Sequence, residues 1–256
     1  MSNNPVYFIS AGPGDPELIT VKGQRLLHEA DLVIYTGSLV PEPLIKDLRG
    51  EVINSASLNL DEVFALILSN WNQGKKVVRL HTGDSAIFGA INEQIALLRK
   101  HDIPFQVIPG VSSALASAAA LETQLTLPEV TQTVIFTRRA GRTPVPDGED
   151  LVSLASHGST MMIFLSISMI DKVVEELIQG GYEEETPAAV IEKVSWPEQR
   201  ILRGTLSTIA RQVKEANITK TALIAVGRAL SENPPEALSK LYDKTFSHEY
   251  RKGNDS

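Results

Sequence analysis

The stretch Val77-Val78-Arg79-Leu80-His81-Thr82-Gly83-Asp84-Ser85 opens a segment, Lys75 to Leu121, that reads as strand, loop, helix, strand, loop, helix. Val77 to Leu80 is a short, mostly β-branched run suited to a buried strand. His81 to Ser85 breaks that run with turn and cap chemistry. Ile87, Ile91, Ile95 and Leu98 then recur at helical spacing, and Arg99, Lys100 and His101 close the helix where its dipole favours cations. Phe105 to Ile108 is a second strand, and Pro109-Gly110 turns it into Val111-Ser112-Ser113 and an alanine-rich helix through Leu121. Two loops of small, hydrogen-bonding residues should therefore lie side by side at the carboxyl edge of a parallel sheet. Open α/β folds bind ligands at that edge.

The same grammar extends backwards. Val6 to Ser10 is a first strand ending in Ala11-Gly12-Pro13-Gly14-Asp15-Pro16, and Thr20 caps a helix carrying Val21, Leu26, Leu27 and Ala30. Leu32 to Tyr35 is the next strand, left through Thr36-Gly37-Ser38. Asp61 to Asn72 is a helix with Val63, Phe64, Ile67 and Trp71 inward, stopped by Gly74. Alternation of this kind predicts a mostly parallel sheet.

After Leu121 the pattern changes. Residues 122–132 are polar and contain a proline, as an interdomain connection would. A second α/β series follows, with strands at Val134–Thr137 and Met161–Leu165 and a helix marked by Ile170, Val173, Val174 and Leu177. Ala188–Val194 and Arg200–Arg203 read as a hairpin turned at Ser195-Trp196-Pro197-Glu198. A helix, Leu206–Ala216, and a last strand, Ala222–Val226, complete the series. The expected organisation is a domain over 1–121, a linker over 122–132, a second α/β domain over 133–230 and a polar tail over 231–256.

Composition excludes several function classes. The 256 residues carry a net charge of −7, which disfavours nonspecific nucleic-acid binding, and contain no cysteine, which removes thiolate metal sites and thiol nucleophiles. None of the five histidines pairs with another at metal-ligand spacing, and no Gly-x-Ser-x-Gly elbow surrounds a serine, so neither a metal nor a hydrolytic triad is expected. His81, alone at a strand end, reads first as a hydrogen-bonded structural residue. Gly12-Pro13-Gly14-Asp15 matches only half of a dinucleotide fingerprint, whose third glycine falls on Glu17. The start of the chain shows no signal peptide and no apolar helix is long enough to span a bilayer, so a cytoplasmic protein is expected. Arg138, Arg139 and Arg142 lie in a loop stiffened by Pro144 and Pro146. They read either as solvated surface or as a clamp for carboxylate or phosphate.

Three motifs in order, 12–20, His81-Thr82-Gly83-Asp84 and Pro109-Gly110-Val111-Ser112-Ser113, resemble the tetrapyrrole methyltransferases that use S-adenosylmethionine. Tyr35-Thr36-Gly37-Ser38-Leu39-Val40, 127–133, Gly141-Arg142-Thr143-Pro144-Val145-Pro146 and Trp196-Pro197-Glu198 narrow the likeness to the members that methylate C11 of a ring-contracted tetrapyrrole. The resemblance covers Val6 to Gly227. It implies two α/β domains with the cofactor cleft between them, in a homodimer; the acidic charge and the lack of a long apolar segment add the expectation of no nucleic-acid and no membrane partner. It also implies that Pro13, Thr82, Gly83, Asp84, Ile87, Ser112 and Ser113 line the S-adenosylmethionine pocket from the first domain, and Leu165, Ser166, Val194, Thr221 and Ala222 from the second. Arg138, Arg139 and Arg142, followed by Lys193, Arg200 and Arg203, become the residues expected to hold the carboxylates of the tetrapyrrole. No residue is singled out as a catalytic base. The same fold acting on another tetrapyrrole or a macromolecule, or serving as a noncatalytic cofactor binder, is the alternative. One departure is local: where family members commonly read Gly-Asp-Pro-Ser-Ile-Tyr-Gly, this chain reads Gly83-Asp84-Ser85-Ala86-Ile87-Phe88-Gly89. Loss of the proline frees a backbone N–H and is expected to loosen the loop.

Overall fold

The computed structural model describes residues 4–37, 39–231, 239–240 and 243–253. Ser38 and part of the expected polar tail thus lie outside the described residues. The chain forms two compact units, Met1–Ala116 with Val194–Pro197, and Ser117–Lys193 with Glu198–Ser256.

The first unit holds β1 (Val6–Ser10), α1 (Val21–His28), β2 (Leu32–Tyr35), β3 (Glu51–Asn54), α2 (Leu60–Asn72), β4 (Val77–His81), α3 (Asn92–Lys100) and β5 (Phe105–Ile108). Its sheet runs β3-β2-β4-β1-β5, and every pairing is parallel. Such a sheet must be buried on both faces, and the strands show it. Ile9, Val33 and Val78 pack with Leu26 and Leu27 of α1 on one side. Phe8, Ile34 and Val77 pack with Val63, Ile67 and Trp71 of α2 and Ile95 and Leu98 of α3 on the other. The helix after β1 and the helix after β4 thus cover opposite faces, although β1 and β4 are neighbours. That reversal opens a crevice at their carboxyl ends.

Thr20 caps α1 by accepting from Gly23 N. Val21 points outward, since it starts the helix on the solvent side. Asn59 and Glu62 form a reciprocal capping box on α2, and Gly74 follows the helix in the left-handed region at φ 81°. The helix expected from Ile87 begins only at Asn92. Phe88 and Ala90 adopt positive φ, 53° and 48°, and the chain turns so tightly that a Cβ on Gly89 would lie 2.2 Å from Ser85 O. The helical spacing of Ile87 and Ile91 is therefore a coincidence of a compact loop. The short edge strand β3, only half apolar, was not expected from the sequence.

The second unit, which takes up the chain within the helix α4 (Ser113–Ala120), contains β6 (Val134–Arg138), α5 (Leu151–Ala155), β7 (Thr160–Phe164), α6 (Ile170–Gln179), β8 (Pro187–Glu192), β9 (Arg200–Thr205), α7 (Leu206–Glu215) and β10 (Ala222–Val226). Its order is β6-β7-β10-β8-β9, parallel only between β6 and β7. Met161, Ile163, Val190 and Ile224 meet Leu151 of α5, Val173 and Leu177 of α6, and Ile209 and Val213 of α7 in one core. Residues 122–132 are held within this unit: Thr123 Oγ1 donates to Ala229 O at 3.0 Å, and Leu125 O accepts from Thr160 Oγ1 at 2.8 Å. In the described part of the tail, Arg251 donates to Asp243 O at 2.6 Å.

Candidate active site

At the carboxyl edge of the first sheet the backbone of two loops is stitched together. Gly12 N donates to Gly83 O at 3.1 Å and Gly83 N to Gly12 O at 2.8 Å, while Ala11 N reaches His81 O at 2.7 Å. Both glycines have positive φ, 84° and 60°, which a side chain would strain. Asp84 joins the loop after β4 to the loop after β5. One carboxylate oxygen accepts from Ala86 N at 2.8 Å and the other from Gly110 N at 2.9 Å. Gly110 has no room for more, since a Cβ there would meet Ser10 Cβ at 2.6 Å. Thr82, Gly83, Asp84 and the buried Ser112, whose Oγ accepts from Ala114 N, therefore gather as the sequence spacing suggested.

The altered loop is not loosened. The N–H that Ser85 regains in place of proline donates to Ser10 Oγ at 3.0 Å, and the two serine hydroxyls lie 3.2 Å apart. Ser85 is buried, so the freed donor is satisfied inside the fold.

The loop Gly12–Asp15 has an unexpected partner. Trp196, in the part of the β8–β9 connection that belongs to the first unit, donates from Nε1 to Pro13 O at 3.0 Å, and Ser195 Oγ accepts from Asp15 N at 2.9 Å. The indole lies where a Cβ of Gly14 would be, 2.2 Å from its Cδ1. Gly14 thus exists for close approach of an aromatic ring, and Val194, expected in the second domain, belongs to the first unit.

A cavity of about 300 Å³ opens beside this edge, lined by Thr36, Leu39, His81, Thr82, Ile87, Phe88 and Gly89. Within the sheet, β4 carries a polar stack that the sequence reading missed. Arg79, buried in the middle of β4, donates to Gln94 Oε1 (2.8 Å), Ile34 O (2.8 Å) and Ser55 Oγ (3.2 Å). Burial lowers its pKa to about 10, so it stays charged at neutral pH. Burial, and then the charge of Arg79, lower His81 to about 3, so its imidazole is neutral. Among the described residues His81 Nε2 and Thr36 Oγ1 are buried without a hydrogen-bond partner, which departs from the reading of His81 as a hydrogen-bonded structural side chain. The signal that could have found the stack is an arginine inside an otherwise apolar strand.

In the second unit, backbone strain gathers at one sheet edge. Leu165 follows β7 at φ 52°, Lys193 follows β8 at φ 47°, and Thr221 precedes β10 at φ 53°. Because β10 runs antiparallel to β7 and β8, all three positions fall at the same end; Ala222 pairs with Glu192, and Lys193 N donates to Thr221 O at 2.8 Å. Left-handed conformations at non-glycine residues cluster where a structure serves a ligand. Leu165 is exposed there, whereas Ser166 is buried, accepting from Arg139 N at 2.9 Å.

The cations expected to clamp a polycarboxylate divide sharply. Arg138 is spent on the carbonyls of Arg139, Thr143 and Pro144, which brace its own loop. Arg139 binds Glu176, with Nε at 2.9 Å. Arg200 pairs with Glu192 at 2.6 Å, Arg203 donates to Leu121 O at 2.7 Å, and Lys193 lies 3.9 Å from Glu198. Arg142 is exposed, and no hydrogen bond or ion pair from its side chain is present among the described residues.

The family model of the Tetrapyrrole (Corrin/Porphyrin) Methylases matches residues 5–210. The chain belongs to this family. Over 99% of its length it is 57% identical to the cobalt-precorrin-4 C(11)-methyltransferase of Methanocaldococcus jannaschii, covering 98% of that protein. It is 47% identical to the precorrin-4 C(11)-methyltransferase of Pseudomonas aeruginosa over 97% of this chain and 99% of that one. Among solved structures, that of the cobalamin biosynthetic enzyme cobalt precorrin-4 methyltransferase, CbiF, superposes with a TM-score of 0.87 at 45% identity, covering 89% of this chain and 96% of the other.

Proposed function

We propose that this chain transfers a methyl group from S-adenosylmethionine to C11 of a ring-contracted tetrapyrrole, precorrin-4 or its cobalt complex. The observation that carries the reading is the 57% identity to a C(11)-methyltransferase across both full lengths. A uroporphyrin-III C-methyltransferase of Thermus thermophilus, 29% identical with a TM-score of 0.75, is solved with bound S-adenosyl homocysteine, which supports the cofactor class.

The residues fit such a cofactor. Small side chains at 83, 110, 112 and 113 keep the sheet edge open, and Asp84 has both oxygens bonded to backbone donors. The cofactor supplies an electrophilic methyl carbon on a sulfonium. When bound, it would leave as S-adenosyl homocysteine, and the proton that the acceptor gives up in exchange for the methyl group would pass to solvent. The chain's contribution is then positional, and well-oriented reactants account for up to about 7–11 kcal/mol of barrier. A strong base is not needed before the attack, and the engaged Asp84 and neutral His81 are consistent with that.

Thr82, Gly83, Asp84, Ile87, Ser112 and Ser113 of the first unit and Leu165, Ser166, Thr221 and Ala222 of the second are the cofactor contacts of this reading; Pro13 and Val194 complete the set. The family resemblance adds a homodimer, to be checked as a doubled mass in sedimentation. Incubation of the chain with S-adenosylmethionine and precorrin-4, with and without cobalt, tests the reaction. A product heavier by one methylene, with the methyl at C11, is expected from at least one form. Cofactor binding without turnover of either form would sink the proposal.

A further inference from the structure

Buried charges are normally paired, because removing an ion from water is costly unless a counterion or a full set of hydrogen bonds replaces the solvent. Arg79, only 4% exposed, departs from this, since its acceptors among the described residues are all neutral. An apolar side chain would suit this place in β4 at least as well, so stability alone does not account for the guanidinium. Its position does: it joins two groups that are themselves bonded to loops. Ser55 Oγ accepts from Arg79 Nη1 at 3.2 Å and donates in turn to Tyr35 O at 2.9 Å. Gln94 Oε1 accepts from Arg79 Nε at 2.8 Å, and Gln94 Nε2 donates to Ala90 O at 3.1 Å. An arginine can only donate, so the hydroxyl and the amide are each set in one orientation. The resulting chain of bonds begins at the residue before Thr36 and ends at the residue after Gly89.

Those two ends belong to the two sides of the cavity. Thr36 and Leu39 line it from the loop after β2, and Thr82, Ile87, Phe88 and Gly89 line it from the loop after β4. The second loop needs an anchor at its far end. Phe88 and Ala90 are held there in left-handed conformations, which persist only where the surroundings enforce them. Its near end is fixed by Ser85 N donating to Ser10 Oγ, and its far end by Gln94 on Ala90 O. We infer that Arg79 is a positioning residue: from inside the sheet it ties the loop after β2 to the loop after β4, and so sets the spacing of the cavity walls before a ligand enters. The residue itself does not line the cavity and acts only through Ser55 and Gln94. Buried polar networks of this kind rigidify a structure and specify one arrangement of it.

The test cuts either arm of the tie and leaves the charge in place. Gln94→Glu still accepts from Arg79 Nε, now as an ion pair in the first turn of α3 where an acid is favoured, but a carboxylate cannot donate to Ala90 O. Ser55→Ala cuts the other arm, and Ser55→Thr keeps the hydroxyl. The choice of probes rests on the proposed function. Gln94→Glu is expected to raise the KM for the tetrapyrrole or weaken S-adenosyl homocysteine binding about fivefold, as for one lost hydrogen bond, with kcat within about twofold. Its urea midpoint should match or exceed that of the parent, which separates a misplaced wall from a weakened fold. Ser55→Ala should give a loss of the same size and Ser55→Thr should recover most of it. The double variant Ser55→Ala with Gln94→Glu should lose no more than the worse single, because one tie is broken either way. Unchanged ligand parameters in Gln94→Glu, or losses that multiply in the double variant, overturn the inference. Should the parent chain neither bind cofactor nor turn over either form of precorrin-4, the proposed function fails and the tie is judged separately, by amide exchange. The Ile87 N–H, bonded to Asp84 O within the β4 loop, must then exchange severalfold faster in Gln94→Glu than in the parent, with the Ser85 N–H unchanged as the control. Equal rates at Ile87 overturn the tie.

Discussion

His81 ties its protonation to the stability of the fold. Its native pKa lies near 3 because burial and then Arg79 oppose the imidazolium, whereas the unfolded chain titrates near the usual 6.5. Above about 6.5 the imidazole is neutral in both states and its contribution to stability is complete. As pH falls through the interval down to about 3, only the unfolded chain takes up the proton, so stability is lost progressively, by a total on the order of 4–5 kcal/mol. Urea midpoints measured from pH 7 to 4 are expected to fall more steeply in the parent than in His81→Gln; parallel slopes would mean that the imidazole titrates normally. Arg142 makes the opposite case, an exposed charge that nothing among the described residues holds. Arg142→Ala is expected to raise the KM for the tetrapyrrole about tenfold while the urea midpoint stays put, whereas Arg138→Ala, which unties the carbonyls of its own loop, lowers that midpoint. Equal kinetics in the parent and Arg142→Ala would return the loop to solvated surface.

The elements differ in how plainly their residues announce them. β1, β2, β4 and β10 are mostly runs of β-branched and large apolar residues, buried on both faces, so composition alone marks them. α6 and α7 carry apolar stripes that meet a single core, and they too were legible. β3 and α5 were not: a four-residue edge strand and a five-residue helix hold too few apolar positions to establish a period. The span 85–91 misled for the opposite reason, since its spacing is helical while its backbone turns through two left-handed residues. At the site, motif order was enough to gather Thr82, Asp84 and Ser112. Arg79 escaped notice because a single charge inside a strand run carries no periodic signal. The partnership of Gly14 with Trp196 was invisible for a different reason, as the two are far apart in sequence and meet only in the folded chain. Gly14→Ala tests that contact. The added methyl must displace the indole, and the expected cost is about 1–3 kcal/mol in the parent. In a Trp196→Ala background the same change should cost little, a non-additivity that only direct contact produces. Additive losses would mean that Gly14 is required for its backbone alone.

On the scale of the whole molecule, the parallel sheet of the first unit and the mixed sheet of the second have separate cores, yet the chain does not hand over from one to the other just once. Val194–Pro197 leaves β8, joins the first unit, and returns for β9. Among the described residues no helix is long and apolar enough to cross a membrane. The acidic net charge of −7 likewise sits more easily with a small-molecule acceptor than with an RNA.

The excursion at Trp196 also sets an order of events during synthesis. Domains tend to fold as units from the N-terminus while the chain is still emerging. Here every strand of the first unit is available by Ile108, but the indole that seats the Gly12–Asp15 loop is made only after β6, β7 and β8. The nascent first unit must therefore wait, with Gly12 held by Gly83 but Pro13 to Asp15 still unseated, until most of the second has left the ribosome. A fragment ending at Ala116 is expected to acquire its parallel sheet and still exchange the amide hydrogen of Asp15 rapidly, since its acceptor, Ser195 Oγ, is missing. Supplying a peptide that spans β8 to β9 should slow that exchange if the seat can be completed in trans.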